Sequence, residues 1–504
     1  MKETGQPTIL TRGVSLELTP EQVFENLHRT PGFFFLDSGL ADHPLSRYSY
    51  VGLSPYHTLR SRGDGMDSVE GKKKIRHLRG NPLVVLSRLL KQRAVATGSP
   101  MVPFAGGAVG YFGYGLGRFT TEREARRTDD LGLPEMHVGF YNSILAYEHR
   151  TGRWYGAGVD LTGGRGATIR KRLGKEIDKL CEAVTHQTRG PAGTVITADP
   201  GEETDAASPP AHPGRRIVID GVEAVSTMTR DEYCDAVRTI KDHIAAGDIY
   251  QANLTQRWSI PFTSDPGLLY RALRSVSPAP FGIYLNTGEC VIAGSSPESF
   301  LSVRGRTVET RPIKGTRPRG DSPEDDARLR RELEHSEKDR AELTMIADLE
   351  RNDLGKICTP GSVEVEELYR QETFSNVHHL VSVVRGELRP DVDFEQIMNA
   401  TFPGGSITGA PKLRAMEILD EVEKTARGPY TGAMGYLGLD GSMELNVAIR
   451  TLVMTQGQCH LGVGSGIVAD SDPDAEYEEC LAKARDMLQA IRKVGSEHGA
   501  AVPS

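Results

Sequence analysis

The sequence predicts a mixed α+β protein, and three observations carry that expectation. Short strand-like segments arrive in clusters rather than in strict alternation with helices. Long stretches with apolar residues at helical spacing lie between and after them. A stretch rich in Pro, Gly and Ala over residues 187–222 divides the 504-residue chain. Length alone favours more than one core.

Taken in order, residues 1–186 carry strand-like pieces at Gly32–Leu36, Met136–Leu145 and Arg153–Val159, separated by Gly-rich turns. Within residues 187–222, Ser208-Pro209-Pro210-Ala211-His212-Pro213 lacks the amide hydrogens and free φ angles of a regular element, which predicts a flexible connector. Residues 223–493 hold the densest motifs, and 494–504 form a short tail. Thr229 and Glu232 make a capping box, and Tyr233, Val237, Ile240 and Ile244 then mark one apolar helix face. Gly247 stops that helix. Next, Tyr250, Ala252 and Leu254 alternate with Gln251, Asn253 and Thr255, which predicts a half-buried strand with a polar face. Leu329–Leu354 and Asp474–Ile491 read as long helices, with Gln458–Val463 a strand between them.

Composition excludes several classes of function. The chain has 60 Lys+Arg against 68 Asp+Glu, a net charge of −8, and no long basic run, which argues against nucleic-acid binding. Its 38% hydrophobic and 25% charged residues are those of an ordinary globular protein. No run of 18 apolar residues predicts a membrane span, and Met-Lys-Glu-Thr-Gly-Gln-Pro lacks the apolar core of a secretory signal. The six cysteines (181, 234, 290, 358, 459 and 480) lie far apart with no C-x-x-C pair. Free thiols in a cytoplasmic protein are expected.

Each chemically suggestive constellation has a plainer alternative. Gly404–Lys412 resembles a phosphate loop but displaces the Lys and inserts Pro411, and Gly462–Gly466 lacks the third glycine of a dinucleotide fingerprint. Both remain either tight turns or backbone N–H cradles for an anion. Asp339 and Glu342 share one helix face, as do Glu476, Glu479 and Lys483 on another. Such carboxylates converge on Mg²⁺ or form solvated, ion-paired surfaces. Lys314, in Pro312-Ile313-Lys314-Gly315-Thr316, is a nucleophile or base if buried and a surface lysine otherwise. Glu298 is a candidate general acid. The adjacent His378 and His379 point apart on any element, which discounts a zinc pair.

Together these stretches resemble the chorismate-utilising enzymes, the family of the anthranilate, aminodeoxychorismate, isochorismate and salicylate synthases. The matching segments are Gly247–Gln251, Ser296-Pro297-Glu298, Pro312–Thr316, Asp339–Glu342, Asp348–Asp353, His379–Ser382, Pro403–Lys412, Ile449-Arg450-Thr451 and Gly464–Val468. The likeness is close over residues 225–492 and looser before them. It implies packed antiparallel sheets flanked by helices. It also implies Glu298 as acid to a departing C4 hydroxyl, Lys314 as nucleophile at C2 of chorismate, and His379 near the ring. Gly315, Thr316, Ser406, Tyr430, Arg450, Gly464, Ser465, Gly466 and Lys483 are expected around the substrate. Glu342 and Glu479 are expected to ligate Mg²⁺, with Glu476 and Asp339 as further metal-site carboxylates. Ser38, Leu45, Ser46, Arg47, Tyr48, Pro280, Phe281 and Gly282 resemble the tryptophan pocket of the family. Lys314 matches the aminodeoxychorismate branch, whereas the anthranilate pattern resembles Pro-Ile-Ala-Gly-Thr. No glutaminase triad is apparent, so the resemblance implies ammonia from a separate glutamine amidotransferase subunit. The alternatives are the anthranilate branch and a non-catalytic tryptophan-binding subunit. Ser465, where the family often has Gly or Ala, and the long connector depart from the pattern.

Overall fold

A computed structural model describes residues 8–40, 43–71, 74–95, 101–121, 123, 129–161, 166–185, 216–374 and 377–497. Two antiparallel sheets, of thirteen and twelve strands, face each other across an aromatic-rich layer that includes Phe34, Tyr50, Phe104, Tyr111 and Tyr436. Helices cover the outer faces, as the α+β expectation required.

The boundary at residues 187–222 divides the chain and not the fold. Phe34–Asp37 pairs with Phe281–Asn286 in one sheet, and Gly107–Phe112 pairs with Ala433–Gly438 in the other. Both sheets are therefore stitched from the early and the late region. Most of the proposed connector lies outside the described residues, but its end does not. Arg216–Ile219 and Val222–Ser226 form a hairpin on the edge of the larger sheet. Asp220 and Gly221 turn it, both at positive φ, the geometry a two-residue turn needs to match strand twist. Of the proposed tail, residues through 497 belong to the last helix, Pro473–Glu497.

Several sequence-derived elements change in instructive ways. The capping box of Thr229 and Glu232 closes, and the helix Arg230–Ala245 buries Tyr233, Val237 and Ile240 as its spacing requires. The single helix expected over Leu329–Leu354 is two, Pro323–His335 and Glu337–Gly355. Ser336 separates them, taking extended ψ and capping the second through the Asp339 amide. Likewise Met136–Leu145 divides into Met136–Tyr141 and Ser143–Glu148. The strand Gln251–Pro261 lies between Gln458–Ile467 and Val222–Ser226 in its sheet, and its polar side is not solvated. Gln251, Asn253 and Thr255 are all buried, whereas Tyr250 just before them is 71% exposed. That inversion places polar groups inside the protein, where each needs a partner.

Candidate active site

Lys314 leaves the strand Ile313–Pro318, whose register against Val377–Glu387 slips between Lys314 and Thr316. At the slip Gly315 has φ +72°, and a Cβ there would fall 2.9 Å from Asp339 Cβ. Only glycine fits, so the Lys314 strand rests directly on the helix Glu337–Gly355. The Lys314 amine lies 3.5 Å from the Ser406 carbonyl, and a Cβ on Gly466 would come within 3.7 Å of it. That Cβ would also stand 2.5 Å from Gln251 Nε2, so glycine here lets the Gln251 carboxamide and the Lys314 amine share one position.

Glu298 follows the strand Val291–Ser296 and is 5% exposed. Burial raises its pKa, with Ser406, Lys314 and Lys483 acting in the opposite sense. A buried carboxyl with a raised pKa suits general-acid chemistry. Ser406, on the turn Gly405–Ile407, is buried near Glu298, but its hydroxyl closes no hydrogen bond of ordinary length. His379 Nδ1 lies 2.9 Å from the Thr316 hydroxyl. Burial, then Arg450, lowers the His379 pKa to about 3, so its imidazole is neutral, and its buried Nε2 has no partner. His378 faces the other way, to Asp326 at 2.8 Å, so the two imidazoles diverge. The Tyr430 ring covers Gly462, where any Cβ would collide with it. Arg450 is half-buried at φ +48°, its backbone carbonyl accepting from the Ser295 amide at 3.0 Å.

Carboxylates from two helices meet opposite Lys314. Glu342 and Glu479 lie within each other's field, and both feel Lys314 and Lys338. Burial raises the Glu342 pKa. At Glu479 burial acts in the same sense, but Lys483, 2.7 Å away, and other cations bring it below its ordinary value. The Lys483 amine also donates to the Gly464 carbonyl at 3.1 Å. Asp339 is held by Arg317 at 3.0 Å. Glu476 accepts from the Ser471 hydroxyl at 2.6 Å through one oxygen, while its other oxygen is buried without a partner. This all-oxygen donor set suits a hard cation. Among the described residues no three ligating side chains are drawn into a closed cage. The arrangement fits an open Mg²⁺ site, in which one or two carboxylates are completed by waters and substrate.

Some expected substrate contacts are committed elsewhere. The Ser465 hydroxyl faces helix Arg230–Ala245, 2.9 Å from Tyr233 Oη, which in turn accepts from Cys480. Strand alternation explains this, because Ser465 points away from the face that Gly466 presents to Lys314. The Thr316 hydroxyl is taken up by His379. Two residues were missed. Gln251 lies against Gly466, fully buried, with both carboxamide atoms unpartnered. Its place in the Gly247–Gln251 motif was the available signal. Arg427 donates to the carbonyls of Asn253 and Ile407 and to the Thr431 hydroxyl, while paired with Glu423. It ties its own segment to the strand Gln251–Pro261 and to the turn at Ile407, and neither distant partner is announced by its local sequence.

A second cavity, of about 260 Å³, is lined by Ser38, Leu45, Arg47, Tyr48, Pro280, Phe281 and Gly282. Of the expected tryptophan-pocket residues, Ser46 is buried but does not line this cavity.

Residues 40–489 match the chorismate binding enzyme family. The chain is 40% identical over 412 residues to an anthranilate synthase component 1 from Haloarcula marismortui, covering 82% of this chain and 81% of that one. It is 36% identical over 446 residues to the aminodeoxychorismate synthase component 1 of Bacillus subtilis, covering 88% and 89%. The crystal structure of anthranilate synthase component I from Streptococcus pneumoniae superposes with a TM-score of 0.72 at 30% identity, over 88% of this chain and 92% of that one. By sequence and by fold the chain belongs to the chorismate binding enzymes, and it is an enzyme that acts on chorismate.

Proposed function

We propose that the chain is component 1 of an aminodeoxychorismate synthase, which replaces the C4 hydroxyl of chorismate with an amine on the route to para-aminobenzoate and folate. The observation that supports this reading is the Lys314 amine, set 3.5 Å from the Ser406 carbonyl, beside Gly466 and the buried Gln251, and within the field of Glu298. Lys314 attacks C2, the two conjugated ring double bonds shift, and the C4–O bond breaks as Glu298 gives its proton to the departing hydroxide, releasing water. Ammonia then forms the C4–N bond, the double bonds shift back, and the C2–N bond breaks to free Lys314. Glu298 regains its proton from the new ammonium group. Arg450 pairs with a substrate carboxylate, and neutral His379 directs its free Nε2 to the ring region. Gln251 supplies an unused donor and acceptor to the same space.

Glu342 and Glu479 would hold Mg²⁺, with Glu476 and Asp339 behind them. Bound there, the ion neutralises carboxylate charge on the substrate. Ammonia would come from a glutamine amidotransferase partner, and tryptophan is the proposed occupant of the cavity at Ser38 and Phe281. An anthranilate-forming activity is the second reading, favoured by the identity to relatives of that name. Incubation with chorismate, Mg²⁺ and ammonium, followed by mass spectrometry of the product, decides between them. Aminodeoxychorismate supports the proposal, and anthranilate or no product overturns it.

A further inference from the structure

The carboxyl of Glu350 has no part in the chemistry above, yet it lies directly behind it. It sits on the helix Glu337–Gly355, two turns beyond Glu342, and is 8% exposed. A Cβ on Gly405 would be 3.7 Å from Glu350 Cγ, so this side chain presses on the back of the turn that carries Ser406. The Thr310 hydroxyl, also buried, lies 2.8 Å from its Oε2. Charged groups act on it from three directions: Glu298 across the turn, Asp353 on its own helix, and Lys412 on the helix Lys412–Val422. Lys412 is already committed, to Asp353 at 2.6 Å and to the Thr401 carbonyl at 2.9 Å. Glu350 therefore stands between two acids with a hydroxyl as its partner and the cation engaged elsewhere. A carboxyl in such a place keeps its proton, because its anion would lack both water and a counter-ion.

We propose that Glu350 is the neutral partner of Glu298. It keeps its proton while Glu298 releases and regains one, so this pair never places two negative charges beneath a dianionic substrate. The inference rests on the reading of Glu298 as the acid. Coupling favours this order, since an ionised Glu298 strengthens the hold of Glu350 on its own proton. Burial, together with Glu298 and Asp353, pushes the Glu350 pKa up to about 8, against the opposing Thr310 and Lys412. Above that pH an anion forms under the site and opposes chorismate binding, while the chemical step is left in place.

The test compares the chorismate KM of the parent and of E350Q between about pH 6 and about pH 10, where ordinary carboxylates are already ionised. The parent KM should rise above about pH 8, by up to about tenfold for one pH unit. E350Q, an isostere of the neutral acid, should match the parent KM at pH 7 and stay flat in the alkaline range. A merely structural role would leave the two profiles superimposed, and that result overturns the inference. Infrared difference spectra supply a readout without turnover. At pH 7 the parent should show the carbonyl band of a buried carboxylic acid that E350Q lacks, and its absence from the parent also counts against the idea. E298Q keeps the two readings apart. If E298Q turns over at the parental rate, the acid assignment falls. If E298Q is inactive while E350Q follows the parental KM profile, the Glu350 inference falls alone.

Discussion

The cavity at Ser38 and Phe281 and the surroundings of Lys314 are built on opposite principles. Around the cavity at Ser38 and Phe281 most polar groups are already paired. Ser38 Oγ donates to the Tyr48 carbonyl at 2.7 Å, Arg47 binds Glu148 at 2.6 Å, and Asn446 Nδ2 donates to the Phe281 carbonyl at 3.0 Å, leaving Asn446 Oδ1 open. The space around Lys314 is the reverse. Both atoms of Gln251, His379 Nε2, Ser406 Oγ and one oxygen of Glu476 are buried and unpartnered. Each such group costs about 1–3 kcal/mol. A fold that carries several of them in one place sacrifices stability for groups that a substrate can satisfy. The first region is built like scaffold, and the second suits the proposed chemistry.

The hardest test of that contrast is Lys314→Ala. Removing the proposed nucleophile should cut aminodeoxychorismate formation by about a thousandfold or more while the protein stays folded. Intact-mass measurement with chorismate, Mg²⁺ and no ammonia should show an adduct on the parent that the variant lacks. Full activity with unchanged product in the variant would refute the covalent role. Diversion to anthranilate would mean instead that ammonia now attacks C2 from the vacated space.

Glu479→Gln should come next, with about a hundredfold loss of turnover at modest Mg²⁺. Titration with Mg²⁺ checks it, since a weakened metal site recovers as the ion is raised and a collapsed one does not. Unaltered turnover would remove Glu479 from the ligands.

Gln251→Leu sharpens the comparison most directly. Two unpaired buried groups are exchanged for an apolar side chain, so the unfolding free energy should rise by about 1–2 kcal/mol while activity falls. Chemical denaturation and a rate assay on the same preparation check both halves. A variant that is less stable would show that Gln251 is satisfied in the free protein.

The smallest effect belongs to the scaffold pocket. Saturating tryptophan should raise the thermal midpoint by about two degrees, and Phe281→Ala should abolish the shift. An equal shift in the variant would place tryptophan elsewhere.

How much of this was legible in the sequence depends on the range of the forces involved. The capping box at Thr229 and the apolar stripe behind it are local, and they are found where the spacing puts them. The carboxylates Glu342 and Glu479 were legible as faces of two helices, but spacing left convergence and two solvated surfaces both open, and the family resemblance chose between them. The solvated strand face at Gln251, Asn253 and Thr255 was misread because alternation records polarity and not accessibility. A polar face looks the same against water as against a ligand site. Ser336 was passed over as one more residue in a periodic run, since a helix break made by a capping serine needs no proline or glycine. Arg427 stayed hidden for a deeper reason. Its partners Asn253 and Ile407 come from separate segments that meet it only in the folded chain.

The stitching of both sheets from early and late strands limits how this gene can be shortened. A product holding only the motif-rich residues 223–493 would keep every group proposed for the chemistry, yet Phe281–Asn286 and Ala433–Gly438 would each lose a neighbouring strand. Two central strands would become open edges, with bare amides and carbonyls flanked by apolar side chains, a surface that recruits other chains. The early region, poor in catalytic motifs, therefore acts as a built-in solubility partner for the late one, and trimming it would yield aggregate before it yielded a smaller enzyme.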